Sequence, residues 1–217
     1  PTAVSATDGT STTTVTVTWT AAPGAGSNEV WRGTTASPAS ATSMATGITA
    51  ATYSDTTVVP GTLYYYWVKA VNAVATSAFS GSNTGYRALS APTAVSASDG
   101  SSTTEVTVTW TGATGAASNE VWRGTTANPA SATRLVTGIT AATYSDTTAV
   151  PGTLYTYWTK AVTAISTSTF SGSNTGYRAL SAPTGVSASD GTTTNGVIVT
   201  WGAVTGASYY QVSRADT

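Results

Sequence analysis

Tryptophan stands at positions 19, 110 and 201 and proline at 1, 92 and 183, so the chain repeats itself with a step of 91 residues. That step is far longer than the helical solenoid repeats and close to the size of one small domain, which makes each copy a unit with its own core. The organisation expected is a first module over 1–91, a second over 92–182 and a partial third over 183–217.

Within a copy the apolar residues alternate. In TTTVTVTW, Val15, Val17 and Trp19 fall on one face and Thr14, Thr16 and Thr18 on the other. This is the pattern of a half-buried strand. The second copy repeats it with Val106, Val108 and Trp110, and the third with Val197, Val199 and Trp201. Turn signals recur at Asp8-Gly9, Pro60-Gly61, Asp99-Gly100, Pro151-Gly152 and Asp190-Gly191, and no helical period is sustained. Short β-branched strands between such turns predict an all-β sandwich or barrel. The stretch PGTLYYYWVKAV at 60–71, rewritten as PGTLYTYWTKAV at 151–162, reads as a strand with Tyr64, Tyr66, Val68 and Ala70 inward and Tyr65, Trp67 and Lys69 outward.

Only 8% of residues are charged, with a net charge of −1, yet 40% are hydrophobic and seven are Trp. A packed core is therefore expected beneath a neutral surface of Ser and Thr. Such a surface offers no basic stripe for phosphates, so nucleic acid is not an expected partner. No apolar run reaches the roughly 20 residues that span a bilayer, and membrane insertion is not expected. The chain has no Cys and no His. Disulfides, thiolate metal sites and the usual general base are excluded, and neither a cofactor nor a metal is expected. The start at Pro1, without Met or a signal segment, reads as mature protein or as an excerpt of something longer.

Four features resemble the fibronectin type III family over essentially the whole length. They are the proline opening each copy, the tryptophan of the second strand (Trp19, Trp110, Trp201), the segment EVWR at 29–32 and 120–123 with QVSR at 211–214, and PGTxYxY before the sixth strand. The resemblance implies tandem immunoglobulin-like sandwiches of seven strands, with sheets A-B-E and C′-C-F-G. It also implies that Tyr64 and Tyr155 form the family's tyrosine corner, in which the phenol bonds back to the backbone. The closing SGSNTGYRAL, at 80–89 and 171–180, is similar to bacterial extracellular versions. One departure stands out. The position two before the strand-C valine is normally a core aromatic, kept as Tyr210 but replaced by Asn28 and Asn119.

Candidate binding residues lie on the outward C-F-G face: Trp31, Tyr65, Trp67 and Arg87 in the first copy, and Trp122, Trp158 and Arg178 in the second. Aromatics in a row stack on sugars or partner chains. The plainer reading is that Arg covers the indoles and that Glu29 pairs with Lys69. Val74 and Ile165, at the F–G loop tips, are expected to pack against the next module. Asp55 and Asp146 are expected to bond their own backbone in turns. Without His, the many Ser and Thr have no credible base, so an enzyme is not expected.

The linkers RALSAPTAV and RALSAPTGV leave little slack, and a strand of ten residues makes a module about 33 Å long. The leading expectation is a non-catalytic structural array of a bacterial surface or secreted protein, a semi-rigid spacer or the body of an extracellular fibre, whose partners are other copies or modules of its kind. The competing expectation is adhesion to a polysaccharide or host surface through the outward tryptophans. The hydroxyl-rich faces are open to O-linked sugar. The third copy supplies strands A to C alone, so it either continues beyond Thr217 or is completed by another chain.

Overall fold

The computed structural model describes residues 1–192 and 194–215, so Thr193, Asp216 and Thr217 of the expected third module lie outside the described residues. The first copy forms seven strands: β1 (Thr2–Ala6), β2 (Val15–Thr20), β3 (Ser27–Gly33), β4 (Thr42–Ile48), β5 (Thr52–Asp55), β6 (Tyr64–Val71) and β7 (Asn83–Gly85). They make two antiparallel sheets, ordered β1-β2-β5 and β4-β3-β6-β7. The second copy repeats them as β8 (Thr93–Ala97), β9 (Val106–Thr111), β10 (Ser118–Gly124), β11 (Thr133–Ile139), β12 (Thr143–Asp146), β13 (Tyr155–Val162) and β14 (Asn174–Gly176). Its sheets are ordered β12-β9-β8 and β11-β10-β13-β14. The all-β class and the seven-stranded tandem sandwiches expected from the sequence are what forms.

The alternation read from TTTVTVTW decides the core. Val15, Val17 and Trp19 are buried against Val30, Val58, Tyr66 and Val68, and the second core repeats this with Val106, Val108 and Trp110. The phenolic oxygens of Tyr64 and Tyr155 each accept from a backbone N–H, that of Val59 and of Val150 respectively, at 3.4 Å. Asn28 and Asn119, in the place of the aromatic, are buried. Each donates from Nδ2 to a carbonyl on the neighbouring strand, Ile48 or Ile139, beside an irregularity in strand register. Their Oδ1 atoms have no partner among the described residues.

The third copy departs from expectation. Among the described residues it forms only β15 (Ser187–Ala188) paired with β16 (Val199–Thr200), and the expected strand at 211–214 does not form. Among the described residues no second sheet covers β15 and β16: Val186, Val197 and Val212 are exposed, and two paired strands bury too little to order a third. Trp201 instead lies against Tyr210, with ring centroids 5.3 Å apart.

Candidate functional site

Three arrangements recur at the 91-residue step, and each places residues singled out in the sequence. The first is the outer face of the four-stranded sheet. β3 and β6 bring Trp31 directly opposite Trp67 and Glu29 opposite Lys69. After β6 the chain does not resume a ladder at once. Ser77 and Ser80 use their hydroxyls as strand carbonyls, accepting from the Ala70 and Val68 N–H groups at 2.9 Å. This holds residues 77–80 alongside β6 and drops Phe79 onto the face, edge-on to Trp31 at 5.4 Å and to Trp67 at 6.5 Å. Lys69 Nζ sits over Phe79 at 4.2 Å and over Trp31 at 5.3 Å. Phe170, Lys160 and Trp122 repeat the set.

Two expectations are corrected here. Trp67 and Trp158 are only 2% and 3% exposed, so they are not stacking platforms. The cause is Phe79 or Phe170 above each and, in the first copy, Tyr65 stacked on Trp67 at 6.2 Å. Thr156, in the place of Tyr65, is itself buried. The cations over the indoles are the two lysines, joined among the described residues by Arg134 over Trp122. Glu29 and Glu120 each accept from the neighbouring tryptophan, Trp31 or Trp122, at about 3 Å.

The second arrangement escaped the sequence reading. Asp55 is fully buried at the end of β5. Its Oδ1 accepts from the Thr57 N–H and hydroxyl, as a turn aspartate does. Its Oδ2 accepts from Arg32 at 2.7 Å and from the Tyr66 hydroxyl at 3.1 Å. Arg32 also lies over the Tyr64 ring at 4.6 Å. Burial alone would raise the Asp55 carboxyl, but the Thr57 and Arg32 bonds outweigh it and hold its pKa below the ordinary value. Burial, reinforced by Asp55, pushes the Tyr66 phenol well above its ordinary range. Arg123, Asp146, Thr148 and Tyr157 form the same group in the second copy. The signal available in the sequence was recurrence: an arginine and an aspartate 23 residues apart, kept in both copies of a chain with few charges.

The third arrangement is the joint between sandwiches. Arg87 does not reach the aromatic face, because β7 ends at Gly85 and the chain has already turned to the pole. Its guanidinium donates to the carbonyls of Thr12 and Val58, at 2.6 Å and 2.9 Å, clasping two turns together. Arg178 clasps Thr103 and Ala149 likewise. The clasped turn presents Pro60-Gly61 to the second sandwich. There, the position a Cβ on Gly115 would occupy is taken by the Pro60 carbonyl, and Gly115 has φ +82°. A Cβ on Gly61 would meet the Thr163 methyl at 2.7 Å and Leu89 at 3.1 Å. Leu89 is consequently only 2% exposed. The joint recurs one step later, where the Pro151 carbonyl takes the Cβ position of Gly206, φ +86°. The F–G loop that carries Thr163 thus meets the preceding sandwich. This reverses the expectation for the loop tips: Val74 stands 93% exposed and reaches no following module.

No family model matches the sequence, and no curated protein matches it. Among solved structures, a two-domain fibronectin type III segment from chicken tenascin superposes with a TM-score of 0.63 at 19% identity, over 81% of this chain and 97% of that one. The chain has the fibronectin type III fold. A fibronectin type III-like protein from Clostridium thermocellum is 41% identical over 40% of this chain and 90% of its own, with a TM-score of 0.37. In fibronectin type III terms the clasped turn is the E–F turn, and the glycine that receives it lies in the B–C turn of the next sandwich.

Proposed function

We propose that the chain is a non-catalytic stacking array, a semi-rigid spacer or fibre body of a bacterial protein that is secreted or held at the cell surface. One observation carries this reading: the Pro60–Gly115 contact is made again by Pro151 and Gly206, a full repeat later. A joint written into the repeat gives every step the same geometry, which is what a rod requires. The linker agrees, since Pro92 restricts Ala91 to extended backbone. Low charge removes repulsion between neighbours along and across such rods. Localisation outside the cell is supported by the common use of this fold in extracellular modules.

Adhesion through tryptophan is the weaker reading, because Trp67 and Trp158 are buried and Trp31 is capped by Phe79 and Lys69. Retention on cellulose and chitin beads separates the two. The array passes through unretained. Retention that is abolished by Trp31→Ala, with the fold intact by circular dichroism, would favour adhesion.

A further inference from the structure

We propose that the pole of the first sandwich around Gly24 is a socket for the Val-Pro-Gly turn of another module of this kind. The inference rests on the array reading above and adds to it a specific binding surface and occupant. Gly24, Gly115 and Gly206 are the same position of the repeat, with φ of +78°, +82° and +86°. At Gly115 and Gly206 a proline carbonyl fills the place of the missing Cβ, whereas at Gly24 no described atom lies within 4 Å of it. Only glycine leaves that place open. Gly24 thus holds the backbone conformation of the two glycines that receive a proline carbonyl, at the same position of the repeat.

The surrounding surface is preformed. Ala22, Pro23, Gly24, Asn72 and Ala75 border a concavity of about 230 Å³. Asn72 fixes its rim: its Oδ1 accepts from the Val74 and Ala75 N–H groups at 2.9 Å, and its own N–H donates to the Ala75 carbonyl at 3.0 Å. Thr163, one repeat later, closes the same loop by donating to the Ser166 carbonyl at 2.8 Å, and it is this loop that covers Gly61. Val74 is 93% exposed where its counterpart Ile165, at the occupied joint, is 38% exposed.

The occupant is specified by continuity with these joints. It is an uncharged turn with a valine, an outward proline carbonyl and a left-handed glycine, the sequence that stands at 59–61 and again at 150–152. Charged peptides find no counter-charge at Ala22, Pro23, Gly24 or Asn72.

The test places a copy of residues 92–182 ahead of Pro1 in the full chain. The RALSA at its end then leads into Pro1 as RALSA at 87–91 leads into Pro92. Hydroxyl-radical footprinting reads the outcome at Val74. Labelling is expected to fall a little over twofold, the ratio of the Val74 and Ile165 exposures. Gly24→Asn, whose side chain tolerates the left-handed backbone but fills the seat, should restore it. A flexible Gly-Ser insertion before Pro1 should restore it without altering the sandwich. Equal labelling of Val74 in the extended and original chains would overturn the socket. Leu89 separates this from failure of the array itself. If Gly115→Asn exposes Leu89 while Val74 stays open in the extended chain, only the socket fails; if Gly115→Asn leaves Leu89 protected, the array reading fails as well.

Discussion

Arg32 on β3 donates to Asp55 on β5 at 2.7 Å, so a fully buried carboxylate of the first sandwich is bonded across its two sheets. Removing one member of a buried pair leaves the other without its counter-charge, and here the Tyr66 hydroxyl loses its acceptor too. Asp55→Ala is therefore expected to destabilise the first sandwich by about 3–5 kcal/mol in urea unfolding. Asp146→Ala should do the same to the second. A loss below about 1 kcal/mol would place the pair among surface-like ion pairs.

The same groups set the pH range. Asp55 and Asp146 have folded pKa values below the unfolded one, so the unfolded chain binds more protons between the two. Their stabilisation is present above the ordinary carboxylate value near 4 and is lost as pH falls from there through the depressed folded values. Tyr66 and Tyr157 have raised pKa values, so their contribution is present below about 10 and is lost as pH climbs above it. Unfolding free energy against pH should show a plateau with both limbs, and Asp55→Asn with Asp146→Asn should flatten the acid limb.

Thr159 occupies the place of Val68 on the inward face of its strand, is buried, and its hydroxyl has no hydrogen-bond partner among the described residues. A buried orphan hydroxyl costs about 1–3 kcal/mol relative to an apolar group of the same shape. Thr159→Val should raise the stability of the second sandwich by about 1–2 kcal/mol on that ground, read as a shifted denaturant midpoint with unchanged slope. Val68→Thr should cost the first sandwich a similar amount.

Ala94 holds φ +51° where β8 shifts register, and the third copy writes glycine there, Gly185, at φ +63°. The left-handed region costs an alanine about 1–2 kcal/mol that glycine does not incur, offset in part by glycine's larger unfolded entropy. Ala94→Gly is expected to stabilise by about 0.5–1 kcal/mol in thermal unfolding.

The fold was legible because alternation and repetition are local signals. Val15, Val17 and Trp19 alternate within one strand, and the same triplet returns twice. The outer face was legible only as a side of β6. Nothing in PGTLYYYWVKAV states that Phe79 comes back over Trp67, since that follows from Ser77 and Ser80 standing in for strand carbonyls further along the chain. The role of Arg87 depends on where β7 stops, which the alternation does not fix. Arg32 and Asp55 lie in different sheets, and a pairing across sheets leaves no periodic trace. The module that Val74 faces is not legible, because a sequence does not say at which pole a loop emerges.

The joint between Pro60 and Gly115 is tested most directly by the spread of distances across it. The chain has no cysteine, so spin labels can be placed without competition at Ala36→Cys and Ala127→Cys, equivalent exposed positions of the two sandwiches. A built joint predicts one narrow distance distribution in pulsed electron resonance, broadened by Gly115→Asn. A broad distribution in the unmodified joint, unchanged by that substitution, would mean that the sandwiches hang on a flexible tether and do not form a rod.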